Sequence, residues 1–406
     1  MGYRLVTGFL FMVLNPLNPQ QANWGFFGHK WINRMAVFTL PEEMIGFYKA
    51  HLDEVVSHAV DPDKRRYSVP GEAFRHYIDL DQWQQDTFVQ LPETHALAVF
   101  RFSHFYLTDG ENRYLLLDTL RMRTGVVDSV DLLPIRPVSW KGIPQRVAYE
   151  EFLKDFMEHA WPYYDHEDWA FPANQLLSLK VSDSMGLRVE IEDRFTAHGI
   201  LPYHLERVYL QLTNAFRTMD QGKIIRWSAE LGHYLGDGHV PLHTTKNYNG
   251  QLTGQDGIHA FWESRIPELF AEQEFDPLVG PAQYIPDIRA EIWKLIRESH
   301  SGVNMLLEME RELRQRIPAD QQECFDERLQ KIVKLPCREF ARRYHEALDR
   351  QVEDRMRTCI LSLGSFWYSA WVDAGQPDLL PALDVELDLE MADSGRVEAA
   401  RIRSHE

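Results

Sequence analysis

Between Leu231 and Glu263 the chain carries five side chains able to bind a metal, arranged as two helix-spaced pairs around one loop. His233 and Asp237 stand four apart, as do His259 and Glu263, and His243 lies between the pairs just beyond Pro241. Residues four apart share a helix face, so each pair can present two ligands to one point without backbone strain. Imidazole and carboxylate donors with no cysteine nearby suit zinc, with manganese or iron as the alternatives. Either pair alone is more simply a surface ion pair, and a lone histidine a core or surface residue. Five such residues in one short segment favour a metal site.

The surrounding residues say how the ligands are positioned. Ile224, Ile225, Trp227, Ala229 and Leu231 support a helix running into His233, and Pro241 stops it, releasing His243 onto a loop. Asn249-Gly250 and Asp256-Gly257 are turn signals, so a loop of roughly 15 residues precedes His259. A second informative stretch runs from Trp24 to Asp81. His29 opens the helical pattern HKWINRMAVF, and Pro41 with Glu42 and Glu43 reads as the first turn of another helix. Met44, Ile45, Tyr48, Leu52, Val55 and Val56 continue it as an apolar stripe. Asp61, Pro62, Asp63 and the basic run Lys64 to Arg66 follow, then His76 in RHYIDLD. Asp61 and His76 could join the metal cluster; taken alone, DPD is an ordinary turn and the basic run a solvated surface. Asp79 or Asp81 near His76, and Asn247 near His243, are candidates to orient the imidazoles.

These motifs resemble the superfamily of zinc-dependent phospholipases C and single-strand-specific zinc nucleases. The resemblance rests on HYLGDGHVPLH, GIHAFWE, HKWINR, and AVD followed by RHYIDLD, and it covers roughly residues 24 to 81 and 198 to 275. Glutamate at 263 and the scarcity of cysteine resemble the phospholipase branch more than the nuclease branch. The resemblance implies a multi-helical fold around three zinc ions. Asp61, His76, His233 and Asp237 would hold one, with Asp63 in reserve for Asp61. His243, His259 and Glu263 would hold a second. His29, Asp237 and the main chain of Trp24 would hold a third, which makes Asp237 a bridge and puts Asp61 and Asp237 at the catalytic centre. In that family the tryptophan is the mature N-terminus; here Asn23 precedes it.

Three divalent ions outweigh three carboxylates, so such a site is locally positive and favours a phosphate ester. Metal-bound water, its pKa lowered from about 15.7 to roughly 7, would supply hydroxide at neutral pH. The expected function is therefore zinc-dependent hydrolysis of phosphoric esters, with phospholipase C type cleavage of a phospholipid or related phosphodiester first. A single-strand-specific nuclease or nucleotidase, taking single-stranded nucleic acid, is the alternative. A non-catalytic envelope-associated binding protein with a degraded metal site is a third reading. No stable protein partner is expected.

The chain has 406 residues, 44% of them hydrophobic and 12% aromatic, enough for a sizeable core. A formal charge of -18 disfavours nucleic-acid binding through a basic surface. Residues 1–22 read as an export signal, with Arg4 followed by apolar Leu5 to Leu14, which points to a periplasmic, envelope-associated or secreted protein. A helical catalytic domain over 23–372 follows, and residues 373–406 form an acidic, loose tail. Within the domain, residues 84–195 read as an insertion with a small β element. Phe102–Thr108 and Arg113–Leu117 flank Asp109-Gly110 as a hairpin, and 126–135 add a short strand. The aromatics Trp161, Tyr163, Tyr164 and Trp169, with His159 and His166, make this region a substrate lid or, more simply, an accessory packing layer. Leu205, Val208, Tyr209, Leu212 and Phe216 mark one later helix, and Ile288, Ile292, Leu295 and Ile296 another. His198 and His204 at the start of the first could touch the site, although capping or packing is the simpler role. Glu323–Trp371 contains one or more long helices with solvated charged faces. Cys324, Cys337 and Cys359 suggest neither a ligand motif nor a disulfide framework.

Overall fold

The computed structural model describes residues 25–83, 91–117, 129–131, 143, 146–164, 169–328 and 331–379. Trp24, the export signal expected at 1–22, His166 and the chain from 380 onward lie outside the described residues. The protein is mainly α-helical. Four helices open it: α1 (Phe26–Ala36), α2 (Glu42–Ala50), α3 (Leu52–His58) and the short α4 (Asp61–Arg65). Pro41 caps α2 in extended geometry, with Glu42 and Glu43 in its first turn. The apolar stripe expected to run unbroken from Met44 to Val56 is split at His51. Met44, Tyr48, Val55 and Val56 are nevertheless all buried.

The middle of the chain is the mixed region expected from its turn signals. After α5 (His95–Phe102) come β1 (His104–Thr108) and β2 (Arg113–Leu117), paired antiparallel with Thr108 opposite Arg113, so the loop between them is Asp109-Gly110-Glu111-Asn112. Asp109 accepts from the backbone N–H groups of Glu111 and Asn112, and Gly110 takes a positive φ of 93°. β3 (Ser129–Asp131) and β4 (Arg146–Ala148) form a separate ribbon, followed by α6 (Tyr149–Asp155). β5 (Trp169–Pro172) and β6 (Arg188–Glu192) complete a four-stranded antiparallel sheet in the order β2-β1-β6-β5. Its inner face, with Phe105, Leu107, Phe171, Val189 and Ile191, is continuous with the helical core. Trp161 stacks on Tyr164 with ring centroids 4.5 Å apart, and Tyr164 meets Trp169 edge-on. Trp161, Tyr164 and Trp169 thus pack against one another, while Tyr163 is exposed.

The helical core resumes with α7 (Leu201–Thr218) and α8 (Gln221–His239). Asp220 caps α8 by accepting from the Lys223 N–H, and Pro241 lies two residues beyond its end. Every residue from Ser228 to His239 is buried, because α8 lies against α1, α3, α7 and later helices. Past a turn at Pro241–Thr244, the loop leads to α9 (Ile258–Ala260), a π-helical turn over Phe261–Arg265, and α10 (Ile266–Glu274). α11 (Ile288–Ser301) buries Ile292, Leu295 and Ile296, and α12 (Val303–Arg316) follows it.

The next stretch departs from the helical expectation. β7 (Glu323–Arg328) and β8 (Lys331–Pro336) form an antiparallel hairpin whose base is closed by a Cys324–Cys337 disulfide. Phe325 and Ile332 face solvent there, while Leu335 is buried and Asp326 pairs with Arg265. α13 (Arg338–Ala347) and α14 (Gln351–Asp373) are the last helices among the described residues. α14 packs across α1, α7 and α8, where Trp367 is fully buried, donates to the Ser228 carbonyl and stacks on Tyr48. The beginning of the expected loose tail is held down: Trp371 donates to the Pro377 carbonyl and Leu379 is buried. Among the described residues no helix is long and apolar enough to cross a membrane.

Candidate metal centre

Seven segments converge on one buried cluster. α1 contributes His29, α4 Asp63, the 3-10 turn Ala73–His76 its His76, α8 His233 and Asp237, and the turn after α8 His243. α9 adds His259 and the π-helical turn adds Glu263. In the π-helical turn the wider ring still leaves His259 and Glu263 on one side, with His259 Nε2 2.7 Å from Glu263 Oε2. His29 reaches the cluster because α1 and α8 approach closely. A methyl group on Gly236 would lie 2.6 Å from His29 Nδ1, and one on Gly232 would lie 2.3 Å from Asn33 Oδ1.

Asp237 stands at the centre. Its Oδ1 lies 3.4 Å from His29 Nε2 and 3.6 Å from His243 Nε2, and its Oδ2 lies 2.9 Å from His76 Nδ1 and 3.4 Å from His233 Nε2. Glu263 divides in the same way, with Oε1 3.6 Å from His29 Nε2 and Oε2 3.5 Å from His243 Nε2. The fourth side is Asp63, whose Oδ1 is 3.7 Å from His233 Nε2 and 3.8 Å from His76 Nδ1.

Asp61 does not join the cluster. It accepts from Lys64 at 2.7 Å and pairs with His58 Nδ1 at 2.5 Å. The helical path of DPDKR explains the exchange: residues two apart in a helix point some 200° apart, so only one of the two aspartates can face inward. Trp24 lies outside the described residues, but its neighbour Gly25 does not. A methyl group on Gly25 would lie 3.3 Å from Glu263 Oε1 and 3.9 Å from Asp63 Oδ2, so the chain enters beside both carboxylates.

Two of the nitrogens that point away from the cluster, on His233 and His259, are anchored by groups other than those expected. His233 Nδ1 lies 2.9 Å from the Ala59 carbonyl and His259 Nδ1 2.9 Å from the Tyr248 carbonyl. A carbonyl can only accept, so each Nδ1 carries the proton and each Nε2 keeps its lone pair for the cluster. Asp79 instead pairs with His198, Asp81 accepts from Thr245 and Lys246, and Asn247 bonds Thr253 and Leu252. Behind His76 stands Glu72, a residue without a signal in the sequence pattern. His204 is buried edge-on against Tyr234, a packing role.

The donor set fits a divalent cation. Four groups of three donors, His29–Asp63–His233, His76–His233–Asp237, His243–His259–Glu263 and His29–Asp237–Glu263, each lie within 4.8 Å of one another. Most of the separations, 3.4 to 3.7 Å, are too long for hydrogen bonds. They match the edge of a tetrahedron with arms of about 2.0–2.1 Å, which is about 3.3 Å. The His76–Asp237 and His259–Glu263 pairs, at 2.9 and 2.7 Å, are in hydrogen-bond contact instead.

Protonation follows from the same geometry. Burial lowers the affinity of His29 for a proton, but the carboxylates of Asp237 and Glu263 outweigh it and hold the imidazolium up to about 10. Burial and the neighbouring His29 charge push His233 down to about 3. The imidazoles around Asp237 and Glu263 outweigh burial and hold both carboxyls well below the usual carboxylate range. Without metal, a proton on His29 thus does part of what a cation would do.

A further residue emerges only from the fold. Arg66, at the end of α4, is buried to 6% exposure, with its Nη1 3.9 Å from Asp63 Oδ1. Its Nε and Nη2 are buried without a hydrogen-bond partner. In the sequence it belongs to a run of basic residues that reads as surface. Comparison with family models, curated proteins and solved structures found no match for the chain.

Proposed function

We propose that the protein is a zinc-dependent hydrolase of phosphoric esters, with phospholipase C type cleavage of a phosphodiester as its reaction. The observation that carries this reading is the set of donor separations at tetrahedral-edge length around Asp237. His76, His233, Asp237 and Asp63 would hold one ion and His243, His259 and Glu263 a second. His29 and Asp237, with the main chain entering before Gly25, would hold a third. When bound there, zinc supplies Lewis acidity toward a phosphoryl oxygen and a lowered pKa for water.

The chain's own residues do the rest. The Ala59 and Tyr248 carbonyls keep the protons of His233 and His259 on Nδ1, so the facing nitrogens stay free for a cation. Burial excludes bulk water from every histidine of the cluster, which strengthens its electrostatics. Asp63 at 23% and Glu263 at 15% exposure mark the side from which a substrate reaches it. Arg66 lies against Asp63, where its charge would favour an anionic ester. The Cys324–Cys337 disulfide supports export into an oxidising compartment.

A single-strand-specific nuclease or nucleotidase is the second reading, favoured by Tyr67, which follows Arg66 and is 56% exposed, free to stack on a base. A panel of phosphatidylcholine vesicles, single-stranded DNA and RNA, and phosphomonoesters, run on one zinc-loaded sample with and without chelator, tests both. Chelator-sensitive release of a phosphorylated head group supports the first reading and release of nucleotides the second. Fewer than two zinc ions per chain, or no chelator-sensitive hydrolysis of any ester, would overturn the proposal.

A further inference from the structure

One imidazole of the cluster is backed by a charge rather than a carbonyl. Glu72, fully buried, heads the 3-10 turn that ends in His76, so the two side chains are four residues apart and face each other. Glu72 Oε1 lies 3.7 Å from His76 Nε2, longer than a hydrogen bond, and that nitrogen is fully buried with no hydrogen-bond partner. On the other side of the ring, His76 Nδ1 faces Asp237 and Asp63.

The carboxylate itself is held rigidly. Its Oε2 accepts from Arg65 Nε at 2.9 Å and Arg75 Nη1 at 2.7 Å, and its Oε1 accepts from the Tyr234 hydroxyl. Arg65 also makes two 2.9 Å bonds to Glu230, which is 3% exposed. This is a costly arrangement to bury, since each ion must be desolvated and then paired. It ties α4, the Glu72 turn and α8 together, the same three elements that carry Asp63, His76 and the His233–Asp237 pair.

We propose that Glu72 is a positioning residue for His76: facing Nε2 across 3.7 Å, it holds a proton on Nε2, so that a cation can take the place of the Nδ1 proton that hydrogen-bonds Asp237 at 2.9 Å. A carboxylate behind a ligating imidazole fixes the tautomer and raises its basicity. Carbonyls do this for His233 and His259; His76 has no carbonyl in reach and uses a charge. The inference rests on the metal reading of the cluster but not on any activity.

Zinc and cobalt binding to Glu72→Gln, measured by competition with a chromophoric chelator and without substrate, tests it. Loss of about ten- to a hundredfold in affinity for one ion is expected, with the remaining ions unchanged. Glu230→Gln is the control. It removes an equally buried carboxylate from the same arginine but not from His76, so metal affinity should hold while the metal-free fold loses stability. Equal affinity in Glu72→Gln and the unmodified chain, or equal losses in the two variants, would overturn the proposal. If Glu72→Gln does not fold, nitrogen NMR of ring-labelled histidine in the unmodified, zinc-loaded chain decides: a proton on His76 Nδ1 refutes it. An unmodified chain that binds no metal would instead sink the hydrolase reading.

Discussion

At the residue scale the cluster makes sharp demands. Asp63 and Asp61 are chemically identical and two residues apart, yet one faces His76 and His233 while the other pairs with His58 and Lys64. Asp63→Asn should therefore lower zinc affinity at least tenfold. Asp61→Asn should leave it within a factor of two or so, since its partners His58 and Lys64 are not among the cluster's donors. Equal losses, read by chelator competition, would return Asp61 to the site. Because His29 is protonated at neutral pH in the absence of metal, loading the cluster at pH 7 must expel its proton. Calorimetry in buffers of different ionisation enthalpy should show at least one proton released per chain, and none would contradict the assignment of His29 as a ligand.

At the element scale the contact between α1 and α8 decides whether His29 arrives. Gly236 and Gly232 lie on the α8 face that meets α1, and their missing side chains let His29 and Asn33 sit against the backbone. Gly236→Ala should push the His29 ring aside and remove one zinc ion from the stoichiometry, read by elemental analysis. Gly46→Ala, on an exposed position of α2 with nothing near the added methyl, should instead raise stability by about 0.5–1 kcal/mol through helix propensity alone. Full zinc content in Gly236→Ala would mean that the close approach is a packing feature and not a requirement of the site.

At the scale of the whole molecule, donors drawn from residues 29 to 263 would make a bound cation a staple as well as part of a site. Free zinc at a hundredfold excess over its Kd should add about 2.7 kcal/mol to folding stability, visible as a higher melting temperature that chelator removes. The pH dependence has a definite sign. In the metal-free chain His29, held up to about 10, contributes stability fully present below about 6.5 and lost as pH rises through about 10. His233, pushed down to about 3, loses its contribution as pH falls below about 6.5, and Asp237 and Glu263 lose theirs at lower pH still. Melting of the chelated protein should therefore peak near pH 6.5, and zinc should flatten the alkaline side, where it replaces the His29 proton. A chelated protein that grows more stable from pH 7 to pH 9.5 would contradict this.

What could be read from the chain alone was what repeats at short range. Four-residue spacing placed His233 with Asp237 and His259 with Glu263, proline ended α8, and Asp-Gly turned the β1–β2 hairpin, because each depends on a few neighbouring residues. Three things needed the tertiary structure. The choice of Asp63 over Asp61 depends on which way a five-residue helix is rotated against α8. The Cys324–Cys337 bridge depends on a strand register that short charged strands do not announce. Glu72 and Arg66 acquire their roles only by burial beside His76 and Asp63, and the energy of a buried charge is set by its neighbours in space, which local sequence does not encode.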